Sequence, residues 1–472
     1  MNFIHPHFFI FLAIFIVPYS FAKGKWKQVI LLIASYVFYA YFSVEFCLLL
    51  FISTLVDFLI VKKMMPDNTL RSKKWVCISV VFNLMLLAVF KYKPFIWNDC
   101  LLPVFFNLGF SLVKVENSLP PVGISFFTFQ TMSYSIDVYR GNINRSQSFL
   151  QFAVYVSMFP QLVAGPIVRA KDLLYQINEK VFVSKKDILD GIERFVWGFF
   201  KKACIADSLA VLLVDPIFNA PENQSHLYLC LGMLAYSFQI YFDFSGYSDM
   251  AIGIGRLLGF KFPENFDHPY QSKSFSEFWT RWHISLSSWL RDYLYISMGG
   301  NRSGLFRTLM NLMITMLLGG LWHGASFLFI LWGFIHGLLL VVEKIWLMIV
   351  PRKVLYKIPS VFKTTFVFLC VTMCWVPFRS QSVQDIELFW SAPFFLNYSN
   401  LLVQLLALKM DIVVLFGICI FSHFFKNRLQ VTFKHETWPI ELKSIFYACL
   451  LFLMVHYYPD STQTIPFIYF RF

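Results

Sequence analysis

The chain has 472 residues, of which 58% are hydrophobic and only 14% are charged, whereas a soluble domain averages about 25% charged residues. This composition excludes a series of soluble domains and indicates a polytopic membrane protein. The net charge of +13 comes from Lys and Arg in short loops between apolar segments, so it predicts cytoplasmic loops rather than nucleic-acid binding. The nine cysteines have no metal or disulfide spacing.

The first 140 residues contain apolar segments separated by basic loops. Residues 3–22 are long enough to span a membrane, and residues 28–61 predict a helical hairpin that turns near Ser43. Two further spans are predicted at residues 76–96 and 120–138. The basic loops then all fall on one side, which places the cytoplasm there and the first residues outside.

The next apolar segment, residues 149–168, enters and leaves on the same side if the Lys and Arg residues after it are cytoplasmic. Those residues include Lys201 and Lys202. Pro160, Gly165 and Pro166 supply a break in the segment. Irregular backbone at membrane depth is tolerated only inside protein or beside water, so a cavity is predicted near residues 158–166.

Residues 204–218 and 227–250 form the next predicted pair of spans, and residues 256–307 are amphipathic instead. Apolar residues recur there at spacings of three and four, which predicts one helix lying in the membrane interface or at shallow depth. The stripe comprises Trp279, Trp282, Leu286, Leu290 and Tyr293, and His283 falls on it.

Residues 308–342 contain no Lys, Arg, Asp or Glu. As one helix they would measure about 50 Å, at about 1.5 Å per residue, whereas a bilayer core is about 30 Å thick. The helix must therefore break, and residues 319–326, around His323, are rich in glycine. Spans near residues 361–377, 402–424 and 443–459 bring the total to about eleven.

His323 is the first candidate for chemistry, because an ionisable side chain in an apolar span indicates a functional site. Imidazole can act as a base or proton shuttle near neutral pH; the alternative is a structural hydrogen bond to a neighbouring helix. Trp322 and the adjacent glycines favour close approach of a substrate or another backbone. His283 is a second candidate, since acid–base chemistry uses titratable groups in different environments. We interpret His336, in the same uncharged segment, as structural.

Two acidic residues, Asp243 and Asp249, lie inside an apolar segment and are not expected to face lipid. They could orient a histidine, pair with Arg256, or line a polar tunnel. No histidine, cysteine or acid pattern predicts a bound metal.

A group of basic residues surrounds the amphipathic segment and could either anchor lipid headgroups or together hold the phosphates of a cytosolic acyl donor. Its members are Lys261, Lys273, Arg281, Arg291 and Arg302. The chain has no Walker A loop, no GxGxxG and no GxSxG, so neither nucleotide hydrolysis nor a serine hydrolase is indicated.

These segments resemble the membrane-bound O-acyltransferases (MBOAT), and within them the bacterial polysaccharide O-acetyltransferase branch, with the D-alanyl transferases more distant. The matching stretches are residues 34–39, 121–130 (PVGISFFTFQ), 159–167 (FPQLVAGPI), 241–249 (YFDFSGYSD), 265–301 and 319–337. The resemblance implies an all-α integral membrane protein: a helical bundle shaped as a funnel, with re-entrant and amphipathic helices, forming one domain over residues 1–472 with its core motifs within 120–340.

The resemblance also implies the chemistry. His323 would be the catalytic histidine at the funnel floor, and His283 the second histidine of the active site. Arg281, Arg291, Lys273 and Trp322 are the candidate donor-binding residues, and Asp243 and Asp249 support the site. No bound cofactor is expected; acetyl-CoA would be the donor substrate.

The implied reaction passes acetyl groups from the cytosol across the bacterial inner membrane to an extracytoplasmic polysaccharide, with peptidoglycan slightly preferred over alginate or another exopolysaccharide. A periplasmic SGNH-type O-acetyltransferase would be the partner, beside membrane lipids. Two alternatives stay open. A proton-coupled transporter or flippase also uses intramembrane His and Asp with broken helices, and a non-catalytic scaffold would need no histidine chemistry.

Overall fold

The computed structural model describes residues 1–64, 69–110, 112–116, 120–146, 148–178 and 182–424, with positions 439, 441, 448, 452, 467 and 468. Its elements in this part of the chain are helices, without strands, as the composition predicts. The predicted span at residues 443–459 lies largely outside the described residues.

Contacts group the chain into two compact units. Among the described residues, the first comprises those within 1–196 and 248–264, and the second comprises those within 197–247 and 265–468. The assignment of one domain to residues 1–472 stays a prediction.

The first unit begins with the predicted helices and hairpin: α1 (Pro6–Phe21), α2 (Lys25–Ala40), α3 (Val44–Lys62) and α4 (Thr69–Leu87), which runs into a π-helical turn at Ala88–Tyr92. After a second π-helical stretch (Phe95–Leu101), the unit continues with α5 (Leu102–Asn107), α6 (Ile124–Tyr139), α7 (Phe149–Ser157), α8 (Phe159–Leu162), α9 (Ala170–Asn178) and α10 (Lys185–Phe199). The break predicted within residues 149–168 is present: α7 ends at Ser157, and the four-residue α8 follows.

A buried polar network ties α3, α4 and α6 together. The Asp57 carboxylate accepts hydrogen bonds from Ser79 Oγ at 2.6 Å and Asn83 Nδ2 at 2.8 Å, and Thr131 Oγ1 donates to Asn83 Oδ1 at 2.9 Å. In an apolar environment such groups are stable only when they satisfy one another. The network therefore fixes how these three helices pack.

The second unit starts with a helical segment of alternating π and α turns: Phe200–Ala206, α11 (Asp207–Leu209), Ala210–Val214 and α12 (Asp215–Asn219). A 3₁₀ turn at Pro221–Asn223 precedes α13 (His226–Leu257), whose last residues belong to the first unit. The amphipathic segment then forms a 3₁₀ turn (Pro269–Gln271), α14 (Phe275–Arg281), α15 (Ile284–Trp289) and a π-helical turn (Leu290–Tyr295).

The remaining helices of the second unit are α16 (Gly304–His323), α17 (Phe327–Ile349), α18 (Arg352–Lys357), α19 (Ser360–Arg379), α20 (Val383–Ser391), α21 (Leu401–Leu406) and α22 (Met410–Phe424), with 3₁₀ turns at Ala392–Phe395 and Tyr398–Asn400. The predicted break in the uncharged segment is confirmed, since α16 ends at His323 and α17 begins at Phe327.

Among the described residues, six helices are long and apolar enough to cross a membrane: Val44–Lys62, Ser72–Tyr92, His226–Leu257, Gly304–His323, Phe327–Ile349 and Ser360–Arg379. Two shorter apolar helices are Pro6–Phe21 and Met410–His423. The chain is thus a multi-pass helical membrane protein, and the expected total of about eleven spans stays a prediction.

Candidate active site

The position of His323 is set by the crossing of α16 and α17, where glycines face each other. A Cβ on Gly320 would overlap the backbone of Phe329 and Gly333, and a Cβ on Gly333 would overlap the carbonyl of Met316. Small residues allow such close backbone approach between membrane helices. The crossing therefore brings the last turn of α16, which carries His323, against the first turns of α17.

The imidazole of His323 lies in an aromatic cluster. Its ring centroid is 5.0 Å from that of Trp322, 4.9 Å from Trp332 on α17 and 5.2 Å from Phe378 on α19. The residue is only 3% exposed. Three helices therefore enclose the histidine in apolar surroundings, where electrostatic interactions with a substrate are stronger than in water.

His283 marks a break in the amphipathic segment, so the prediction of one continuous helix there is wrong. The backbone of His283 is left-handed, with φ of 42°, which ends α14 and starts α15 in a new direction. The amide of Ile284 donates to the carbonyl of Asn265 at 2.9 Å, and the amide of Asp267 donates to the carbonyl of Arg281 at 2.9 Å. These two bonds fix the preceding loop beside the break and stabilise it.

The side chain of His283 is fully buried. Its Nδ1 lies 3.1 Å from Asn265 Oδ1, and its ring stands edge-on to Phe244 on α13, with centroids 4.6 Å apart. Burial lowers the pKa of His283 to about 3, because desolvation disfavours the imidazolium. His283 is therefore neutral at physiological pH and has a ring nitrogen that can accept a proton.

Trp322 links the two histidines. Its ring centroid is 6.0 Å from that of His283 and 5.0 Å from that of His323. The structure thus brings together both predicted histidines and Trp322, although His283 and His323 are far apart in sequence. His336 joins the edge of the same cluster, with its ring 4.8 Å from Trp332 and 5.1 Å from Trp279.

Asp243 belongs to a buried ionic network near His283. It lies 2.5 Å from Lys202 Nζ, and Lys202 also contacts Asp207 at 2.6 Å. Both Lys201 and Lys202 are buried, and both lie in the π-helical turn Phe200–Ala206. Low dielectric makes unpaired charge costly, and Asp207 and Asp243 provide the compensation.

The other oxygen of Asp243 binds a distant part of the chain. Asp243 Oδ2 accepts the backbone N–H of Ile468 at 2.9 Å. The ring of the neighbouring Phe467 lies 5.7 Å from Phe244 and 4.6 Å from Tyr247. A segment far along the chain is therefore packed against the aromatic residue that contacts His283.

Asp249, in the first unit, pairs with Arg194 at 2.6 Å, and Arg194 also contacts Glu264 at 2.5 Å. Arg256, one of the partners suggested for the two acids, instead pairs with Asp190 at 2.9 Å.

The basic donor-binding candidates in the second unit are engaged by nearby acids. Arg281 pairs with Glu277 at 2.8 Å, and Arg291 pairs with the adjacent Asp292 at 2.7 Å. Lys273 is exposed. Their role in binding a donor phosphate stays a prediction.

Two residues of this site were missed by sequence reasoning. Asn265 carries no signal without its partner eighteen positions away. Lys202 gives only a weak signal, because Asp207 lies five residues later, beyond the spacing of three or four at which α-helical side chains meet. A π-helical turn brings the two side chains together.

Comparison with known proteins gives the family. The model of "MBOAT, membrane-bound O-acyltransferase family" matches residues 31–376, a range that contains both histidines and Asn265. The chain is 42% identical over 435 residues to the probable alginate O-acetylase AlgI of Pseudomonas aeruginosa, covering 89% of this chain and 82% of that protein.

More distant relatives act on other polymers according to their names. The peptidoglycan O-acetyltransferase of Helicobacter pylori is 35% identical over 404 residues, covering 79% of this chain and 75% of that protein. The teichoic acid D-alanyltransferase of Streptococcus thermophilus is 32% identical over 259 residues, covering 50% of this chain and 61% of that protein.

Proposed function

The chain belongs to the membrane-bound O-acyltransferase family and is an O-acyltransferase, and from this premise we propose that it transfers acetyl groups from cytosolic acetyl-CoA across the bacterial inner membrane, for O-acetylation of a polysaccharide outside. One observation carries the proposal: His283, Trp322 and His323 form a single buried cluster at the break between α16 and α17. A buried pair of histidines beside an indole, closed off from water, suits acyl transfer to a hydroxyl.

In the proposed reaction His323 is the general base. It takes the proton of the accepting hydroxyl while the hydroxyl oxygen attacks the thioester carbonyl. The new C–O bond forms, the C–S bond breaks, and the imidazolium returns its proton to the departing thiolate of CoA. His283 orients the donor or assists the proton transfer. Direct acyl transfer through an imidazole is the alternative route.

The proposal also concerns which polysaccharide accepts the acetyl group. The sequence-based expectation slightly prefers peptidoglycan, although no particular residue decides it, whereas the greater identity to proteins named as alginate O-acetylases supports an exopolysaccharide. We therefore propose an extracytoplasmic polysaccharide of one of these two kinds, reached through a periplasmic SGNH-type partner that completes the esterification.

The test is a deletion strain complemented with the wild-type chain or with His323→Ala. Peptidoglycan and exopolysaccharide are isolated separately, and ester-linked acetate is released with base and quantified. We expect acetate to fall in one polymer on deletion, to return with the wild type, and to stay low with His323→Ala at equal protein abundance. Unchanged acetate in both polymers after deletion would contradict the proposal.

A further inference from the structure

Asn265 provides hydrogen-bond acceptors from both its main chain and its side chain at the break at His283. Its backbone carbonyl accepts the Ile284 amide at 2.9 Å. Its side-chain Oδ1 lies 3.2 Å from the Ser285 amide nitrogen, 2.8 Å from Ser285 Oγ and 3.1 Å from His283 Nδ1. The side chains of Asn265, His283 and Ser285 are all buried.

The backbone amide of Ser285 settles which end of the Asn265 side chain faces the break. A backbone N–H can only donate, so the Asn265 atom it faces must be the acceptor oxygen and not the NH₂ group. This assignment does not depend on His283.

The same oxygen then fixes the proton on the imidazole. A lone pair on Nδ1 would face the lone pairs of Oδ1 at 3.1 Å and be repelled, whereas an Nδ1–H would donate to it. Burial holds His283 in its neutral form, and a neutral imidazole carries only one N–H. The nitrogen left without a proton is therefore Nε2.

The backbone supports the same conclusion. A non-glycine residue in the left-handed region is strained and persists only where the surroundings enforce it. The contacts of Asn265 to Ile284, Ser285 and the His283 ring supply that enforcement on both the main chain and the side chain.

We infer that Asn265 is a positioning residue of the acyl-transfer site, which holds His283 as the Nδ1–H tautomer so that its Nε2 accepts a proton or hydrogen bond during transfer. The inference rests on the proposed function and narrows both roles left to His283 there. An unprotonated Nε2 can take a proton or accept a hydrogen bond from an N–H or O–H of the donor, but it cannot hold the donor carbonyl, because it has no hydrogen to give.

The experiment measures the tautomer directly. The full-length protein, labelled with ¹⁵N in its imidazoles and reconstituted in nanodiscs, is examined by solid-state NMR. The His283 signals are identified by their loss in His283→Gln. We expect a protonated Nδ1 and an unprotonated Nε2; the reverse tautomer or an imidazolium at neutral pH would overturn the inference.

Substitutions at Asn265 and Ser285 then test whether the His283 tautomer affects the rate of acetyl transfer. Asn265→Ala should mix the tautomers and lower kcat for acetyl transfer by about 10–100-fold, the usual scale for loss of a histidine's orienting partner, with little change in KM. Asn265→Asp keeps an acceptor oxygen in place, so it should keep the Nδ1–H tautomer and recover most of the lost kcat. Ser285→Ala, the matched control, removes a hydroxyl that donates to the same oxygen at 2.8 Å and lies 3.5 Å from His283 Nδ1; it should leave the tautomer unchanged, because Asn265 Oδ1 stays in place.

The outcomes separate the two proposals. An Asn265→Ala protein with wild-type tautomer and wild-type kcat would overturn the positioning role. If Asn265→Ala does not fold, the wild-type tautomer and the Asn265→Asp variant still test the positioning role. Loss of the Nδ1–H tautomer in Asn265→Asp contradicts the inference. A wild type with the expected tautomer but no acetyl transfer would refute the proposed function instead.

Discussion

Lys202 is a single buried charge that pairs with two acidic residues near the candidate site. Its side chain has no exposed surface, and it lies between the carboxylates of Asp207 and Asp243. Sequence reasoning considered it only within a run of basic residues after an apolar segment, as candidates for the cytoplasmic side. His323 was predictable because charge is scarce around it, and His283 because it lies in a motif of the family, whereas Asn265 was not, because its role depends on a contact across eighteen positions.

We predict that Lys202→Met destabilises the protein by about 3–5 kcal/mol, because it removes a cation from two buried carboxylates. Thermal unfolding in detergent measures the effect. The matched control is Lys273→Met, at an exposed lysine, which should unfold within a degree or so of the wild type, at roughly 0.5 kcal/mol or less. Equal stability of the two variants would contradict the assigned network.

At the scale of elements, the two helix breaks at the candidate site differ in how readily the sequence predicts them. The break between α16 and α17 follows from length, since residues 308–342 are too long for one span. The break at His283 was missed because apolar residues keep a spacing of three to four on both sides of it. Only the contacts of Asn265 with residues 283–285 produce the turn.

The glycine crossing of α16 and α17 gives a second prediction. Gly320→Ala should force the helices apart, because the added methyl overlaps the backbone of Phe329 and Gly333. Overpacking of this kind costs about 1–3 kcal/mol, and acetyl transfer should fall as His323 moves relative to Trp332.

Gly417→Ala on α22 is the control, since its methyl meets no atom within 4 Å. It should be neutral, or stabilising by up to about 1 kcal/mol, because alanine favours a helix over glycine. Unfolding temperature and initial transfer rate are measured for both variants. A Gly320→Ala protein as stable and active as Gly417→Ala would show that the crossing does not position the site.

At the scale of the whole molecule, hydrophobic length predicted the membrane class and most helix positions, and the count of about eleven spans stays a prediction. Six helices in the described part of the chain are long enough to cross. Residues 402–424 are divided between α21 and α22, and residues 204–218 combine π and α turns. Hydropathy measures the apolar length of a segment and is insensitive to such interruptions.

The contact of Phe467 and Ile468 with α13 joins residues more than two hundred positions apart. Sequence reasoning did not foresee it, since neither residue is titratable. We predict that Phe467→Ala destabilises the second unit by about 3–5 kcal/mol through the cavity it leaves, and slows acetyl transfer because Phe244 loses its support beside His283.

Phe452→Ala provides the matched control, since that side chain is 68% exposed. Unfolding temperature and transfer rate are compared in nanodiscs for both variants. The packing assigned to Phe467 would be wrong if the two alanine variants behaved alike.

The central claim is that His323 performs acyl transfer from a cytosolic thioester. The most direct measurement is the release of CoA, with transfer of label, from acetyl-labelled acetyl-CoA by the purified protein in nanodiscs. His323→Ala is assayed beside His226→Ala, which alters an exposed histidine. We predict turnover in the wild type and in His226→Ala and its loss in a folded His323→Ala; turnover that survives in His323→Ala would contradict the account.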